Sequence, residues 1–384
     1  MKILTTLITL FVITCSFAQQ SFTHQLQSDY LGETRDLKIY IPPSYEMDST
    51  RYYPLAVVLD AEYMFDAYVG NSVLFAQKEK APEQIVVGIS QKDRQRYSDC
   101  AYDKTNSMPV QTSDNFYRFI RAELLNYLEA NYRISPFKTI VGNTLTANFT
   151  NYFFIEDTPG FNAFINLNPY YAADIPNVVV SETEKIKNNN YYYYMCSGSY
   201  LSPKRAGENR NIAEMYGTIT NEKFKFKFDS FDGSDKVTSI GMGMANAMAH
   251  IFGIYAPISK EEFENTIKEM SPPDAIAYLE NKYVEIEYQF GANLKIRERD
   301  IYVVEPIILD KEDGEYLRDY GEMIFKLYPD SPLSDYYIGM DYEMRGKYKN
   351  ALEAYKEGYM KITGSIEDAD AFYKNIERVS AKVN

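Results

Sequence analysis

The sequence predicts an α/β protein, a mostly parallel central sheet with helices on both faces, followed by an all-helical carboxy-terminal region. Three observations predict it. Short β-rich runs alternate with helical ones as far as about residue 255. The runs in the middle of that stretch are continuously apolar, as strands covered on both faces are. After residue 256 strand signals fade and helical periodicity takes over.

The first eighteen residues stand apart from the fold. Lys2 precedes an apolar stretch from Ile3 to Thr14, and Ser16-Phe17-Ala18 puts small residues at both cleavage-specifying positions. That stretch is too short for a membrane core about 30 Å thick. Segment 1–18 is therefore expected to be a secretory signal peptide, and the mature chain to be exported, periplasmic or secreted. Lipoprotein anchoring through Cys15 is the weaker alternative, since Val12-Ile13-Thr14 places no Gly or Ala before the cysteine. No later segment is apolar enough to cross a bilayer, so no integral membrane segment is expected.

Residues 19–256 form the expected α/β unit. Leu37 to Ile41 alternates at period two, and Leu55 to Leu59, Ile85 to Ile89, Ile140-Val141 and Phe164 to Leu167 are short apolar runs between polar or Pro/Gly punctuation. Tyr191 to Met195 and the alternating Phe224, Phe226 and Phe228 add two strands. Phe116 to Tyr132 carries Phe116, Phe119, Ile120, Leu124, Leu125 and Leu128 at helical spacing, with charges on the other face.

Residues 257–384 form the helical region. Ser259-Lys260-Glu261-Glu262 is a capping box, and helices are expected at 262–270, 273–283, 314–328, 336–345, 348–362 and 368–383. Gly339, Tyr342, Gly346, Tyr348, Ala351, Tyr355 and Gly358 follow the small/large pattern of a tetratricopeptide helix pair, at about 336–359. One such unit is not a solenoid, which needs three or more. The region reads first as an appendage packed on the sheet, and secondly as a surface for a protein partner.

Charge and composition exclude some functions. Forty Lys and Arg against 54 Asp and Glu give a formal net charge of −14, the opposite of the basic face a nucleic-acid partner requires. The mature chain keeps Cys100 and Cys196, which in an oxidising compartment are either a disulfide or two separate buried thiols. Two cysteines and two remote histidines have no metal-ligand spacing, and Asp310 to Glu315 is acidic without the spacing of a calcium loop, so neither metal nor cofactor is expected. The 36 tyrosines include Pro169-Tyr170-Tyr171, which could stack on a carbohydrate or aromatic ligand, although tyrosine packs equally well in a core.

Chemistry centres on Thr139 to Ala147. A β-run, a tight turn and an apolar helix (Leu145, Phe149, Tyr152, Phe153) are the context of a nucleophile elbow, G-x-S-x-G, and here Gly142 fills the first glycine, Thr144 the nucleophile and Thr146 the second glycine. Around it, Tyr30 to Arg35 with Ile39 to Pro42, then Pro54 to Asp60 with Ala61-Glu62, then Gly88-Ile89 with Arg94 and Arg96 follow in order. Phe116 to Tyr132 and Phe164 to Pro169 complete the series. From about Ser28 to Tyr255 the chain resembles the esterases of esterase D and enterochelin-esterase type, a branch of the α/β hydrolases.

The resemblance implies an α/β-hydrolase fold and a triad of serine, acid and histidine. Residue by residue, the serine falls on Thr144 and the histidine on Lys236, in Asp235-Lys236-Val237-Thr238. The acid should follow Tyr191 to Met195, where Ser197-Gly198-Ser199-Tyr200 has no carboxylate. An oxyanion hole would use the backbone N–H groups of Leu145 and of Ala61 or Glu62. The elbow needs φ > 0, so a β-branched residue at 144 is expected to relax it. His250 lies inside an amphipathic helix and His24 before the first strand, so neither is expected to serve as a base. The sequence thus favours a non-catalytic protein that binds a small ester-like or carbohydrate ligand. The alternative is an ester hydrolase with a Thr144/Lys236 site.

Overall fold

The computed structural model describes residues 20–92, 94–310, 314–363 and 366–383; the segment read as a signal peptide, Cys15 included, and part of the acidic run at 310–315 lie outside them. The chain opens with strands β1 (Gln20–Ser28) and β2 (Glu33–Ile41), the short helix α1 (Ser44–Met47), β3 (Tyr53–Val58), α2 (Ala61–Gln77), β4 (Ile85–Ile89) and α3 (Gln95–Asp99). Helix α4 (Gln111–Arg118) runs through a π-helical stretch, Phe119–Leu124, into α5 (Leu125–Asn131). There follow β5 (Ile134–Asn143), α6 (Leu145–Thr150), β6 (Ala163–Leu167), α7 (Ile175–Thr183), β7 (Tyr191–Gly198), α8 (Pro203–Gly217), β8 (Phe224–Phe231) and α9 (Lys236–Ile251).

The eight strands make one sheet in the order β1-β2-β4-β3-β5-β6-β7-β8. β1, β2 and β4 pair antiparallel, and the rest of the sheet is parallel. Alternation along buried strands fills two cores. Leu55 and Val57 of β3 join Phe116, Phe119, Phe149, Val179 and Tyr216 on one face. Ala56 and Val58 join Met64, Phe65, Tyr68, Met244 and Met248 on the other. Burial on both faces explains why these strands read as unbroken apolar runs.

That layering separates the cysteines. Cys100 belongs to the first core and Cys196 to the second, and both are free and buried. The disulfide alternative is corrected to two separate thiols. Burial pushes both thiols up, that of Cys196 to about 12, so neither is poised as a thiolate.

Every described element beyond residue 255 is helical: α10 (Lys260–Glu262) with a π-helical continuation, α11 (Pro272–Phe290), α12 (Glu298–Leu309), α13 (Leu317–Leu327), α14 (Pro332–Met344), α15 (Tyr348–Lys361) and α16 (Ile366–Val383). Helix α11 reaches six residues or more past its expected end. Its first half packs with α12 and α13 around Leu279 and Tyr283, whereas Ile286 and Phe290 enter the second core of the sheet. Helix α12 has no counterpart in the sequence reading, because Pro306 interrupts a run of Val and Ile that favours strand. In the α14/α15 pair, a Cβ on Gly339 would come 2.6 Å from the Tyr355 ring, and one on Gly358 would collide with the Phe372 ring, so the small residues are where large ones dock. No described helix is long and apolar enough to cross a membrane.

Candidate functional site

Strand β5 ends at Asn143, Thr144 turns the chain, and α6 starts at Leu145. Thr144 sits at φ 55°, ψ −105°, so the sharp elbow is kept and the expected relaxation by a β-branched residue does not occur. Such a conformation costs about 1–3 kcal/mol and persists only when its surroundings over-determine it. The surroundings do so here. Thr144 N–H donates to the Leu167 carbonyl (2.9 Å), and the Thr144 carbonyl accepts from Tyr170 N–H (3.1 Å). Thr146 is fully buried; its hydroxyl accepts from Asn143 N–H (2.7 Å) and donates to the Asp60 carboxylate (2.8 Å). At Gly142 a Cβ would meet the Thr146 backbone at 2.5 Å, so helix α6 can start this close to the strand only over a glycine.

The Thr144 side chain is nearly closed off, at 9% exposure. Its hydroxyl donates to the Asn143 carbonyl (2.7 Å) and accepts from Arg96 Nη2 (2.8 Å). Arg96 is in turn locked to Asp60, with Nε 2.5 Å from Oδ1 and Nη2 3.1 Å from Oδ2, and Nη2 also reaches the Asn143 carbonyl at 2.8 Å. Burial alone would lower the Arg96 pKa, but the hydrogen bonds and charge of Asp60 outweigh it and raise it. Tyr63 completes the cluster, its hydroxyl donating to Asp60 (3.1 Å) and accepting from Asn143 Nδ2 (3.1 Å). Burial, helped by the Asp60 charge, pushes the Tyr63 phenol up to about 12.

Lys236 is the first residue of α9, exposed, with Nζ 5.1 Å from the centroid of the Tyr63 ring. It therefore lies against the ring of Tyr63, whose hydroxyl bonds Asp60 and Asn143 beside the elbow. Asp235 caps α9 by accepting from Thr238 N–H (2.7 Å). At the acid position, Ser199 accepts from Gly233 N–H (2.7 Å), and the Tyr200 hydroxyl is buried without a partner. Burial drives the Tyr200 phenol above its ordinary range, with Tyr170 and Tyr63 among its electrostatic neighbours. Leu145 and Ala61 are the first residues of α6 and α2, so their N–H groups have no partner within the helix. Strands β5 and β3 are parallel neighbours, which sets these two donors at one end of the sheet.

The histidines lie elsewhere. His250 Nε2 is 2.8 Å from the carbonyl of Lys225, which pairs with Tyr192 at the start of β8, at the far end of the sheet from the elbow. Burial lowers its pKa. His24 stands within β1, opposite Leu37, and stacks on Tyr127 at 5.0 Å; the reading that placed it before the first strand is corrected, because β1 adds an edge the sequence left unassigned. The sequence reading passed over Asp60, Arg96, Tyr63, Asn143 and Tyr200 as site residues. Asp60 and Arg96 do occur in the segments that carry the esterase resemblance, but nothing in one sequence tells that they pair with each other across 36 positions.

The family described as "Putative esterase" matches residues 28–149. In three dimensions the chain is similar to an uncharacterised protein from Capnocytophaga ochracea, at 24% identity over 94% of this chain and 100% of that one, with a TM-score of 0.84. That span takes in most of the helical region as well as the sheet. An IroE-like serine hydrolase from Shewanella oneidensis is similar at 19% identity over 80% of this chain and 98% of that one, TM-score 0.59. The BES protein from Bacillus cereus is similar at 16% identity over 60% and 96%, TM-score 0.53. No curated protein matches the chain.

Proposed function

With a fold shared with the esterase-type α/β hydrolases as the premise, we propose that this chain is an exported binding protein that keeps the esterase pocket without the esterase chemistry. One observation carries the reading. An attacking hydroxyl must hand its proton to a base, yet the Thr144 proton lies on a backbone carbonyl and a lone pair is taken by Arg96. A site of this kind can hold a ligand through the backbone donors of Leu145 and Ala61 and the rings of Tyr63 and Tyr170. Among the described residues, no base hydrogen-bonds the Thr144 hydroxyl. The ligand class in keeping with that lining is a small ester-like molecule or a carbohydrate. The leader-like segment 1–18 supports export.

The retained elbow and the placement of Lys236 over Tyr63 favour a second reading, a hydrolase using Thr144 and Lys236. It would require a neutral lysine to leave the ring and accept the hydroxyl proton now donated to the Asn143 carbonyl. An ester-hydrolysis assay on the purified mature chain separates the two. No turnover above buffer is expected, with Thr144→Ala and Lys236→Met indistinguishable from the parent. Turnover abolished by both substitutions would overturn the binding reading.

A further inference from the structure

Helix α2 starts beside the elbow and its 17 residues carry it about 25 Å, to the opposite end of the sheet. There a cleft of about 440 Å³ opens between the end of α2 and the start of α12, lined by Glu79, Tyr255, Lys295, Arg297, Arg299 and Tyr328 among others. Arg297 is its unusual member. The side chain is only 7% exposed, yet Nε is 3.9 Å from Glu79, Nη1 is 3.8 Å from Asp300 and 3.5 Å from the Tyr283 hydroxyl, and the buried Nη2 has no partner. A charge-assisted arginine bond is about 2.7–2.9 Å long. This chain makes such bonds elsewhere: buried Arg35 meets both oxygens of Asp99 at 2.7 and 2.8 Å.

The two nearby carboxylates reach Arg297 only at 3.8 and 3.9 Å, beyond the length of a charge-assisted hydrogen bond. Asp300 is committed to Ile258 N–H (2.9 Å) and the Tyr283 hydroxyl (2.7 Å). Glu79 is shared with Arg299 at 3.5 Å and stands on a left-handed backbone, φ 55°. The guanidinium is stacked 4.8 Å from the Tyr255 ring, with Nη1 making a long bond to the Tyr283 hydroxyl (3.5 Å) and Nη2 left without a partner. Arg297 is also the N-cap of the 12-residue helix α12, whose first N–H groups add partial positive charge on the same side. Exposed Lys295, 3.4 Å from Asp330, and exposed Arg299, 3.5 Å from Glu79, add two cations, with Glu298 on the same wall. A buried guanidinium nitrogen left without a hydrogen-bond partner is costly.

We propose that this cleft is a binding site for a small molecule bearing a phosphate or carboxylate group, held by Arg297 with Lys295 and Arg299 at the rim. It lies apart from the Thr144 mouth and joins the sheet unit to the helical region. Titration calorimetry on the folded chain at low ionic strength, with inorganic phosphate and separately with citrate, tests it. Saturable one-site binding of at least one anion is expected, and which of the two binds identifies the group. Arg297→Gln should weaken that binding at least about ten-fold, the loss of one charge-assisted contact. The double substitution Lys295→Gln/Arg299→Gln, on exposed side chains, should weaken it several-fold and serves as the deciding variant if Arg297→Gln fails to fold. Absence of saturable binding of either anion, or binding that both variants leave undiminished, would overturn the proposal.

Discussion

Thr144 shows how a single residue can keep a strained geometry when its neighbours hold it. Its hydroxyl, its N–H and its carbonyl are all engaged, and the anchor behind them is the Asp60–Arg96 pair. The Asp60 side chain is 2% exposed, whereas Arg96 retains 21%. Removing the arginine would strand a buried carboxylate with only the hydroxyls of Tyr63 and Thr146 as donors. Arg96→Met is therefore expected to destabilise the fold by about 3 kcal/mol, and adding Asp60→Asn to recover most of that loss. Urea unfolding midpoints of the two variants measure it, and a double variant no more stable than the single would show that the pair is not the anchor. These residues were individually visible in the sequence. Their pairing was not, since a contact between the start of α2 and helix α3 is set by how strands β3 and β4 lie side by side.

Among the elements, the strands were the most legible and the helices of the α/β unit the least. Strands covered on both faces declare themselves as short apolar runs, and all seven expected runs fall in strands, most of them longer than expected, while β4 keeps the expected bounds and β3 stops one residue short of Leu59. Helices α2, α7 and α8 went unassigned, and α12 was hidden by Pro306, because a helix wedged among aromatic neighbours need not show a clean polar face. The β5–α6 junction was legible through Gly142. Here the space is closed by backbone, which cannot step aside, so Gly142→Ala is expected to lower stability by about 3 kcal/mol or more. Gly70, mid-helix in α2 with open space around it, provides the contrast: Gly70→Ala should raise stability by about 0.5–1 kcal/mol. Thermal unfolding of the two variants decides, and similar shifts for both would show that the elbow tolerates a side chain.

At the scale of the whole molecule, the boundary the sequence suggests near residue 256 is crossed by packing. Phe290 lies 4.9 Å from Phe137 and 5.3 Å from Phe252, so the end of α11 is part of the core of the sheet. A chain ended after Ala256 would leave that core open and is expected to be insoluble or to lose cooperative unfolding. One ended after Ala292 should retain it. Circular dichroism melts of the two chains check this, and a cooperative melt from the shorter one would sever the link. By itself the sequence determined the fold class, the strand–turn–helix context of the elbow and the helical character of the last third, because each is written in local pattern or residue identity. Only the tertiary structure decided that Thr144 stays strained, that Arg96 takes its lone pair, that the cysteines stand on opposite faces of the sheet, and that Arg297 is left short of partners. Those facts depend on which distant segments meet, and contact between them is fixed by packing rather than by spacing along the chain.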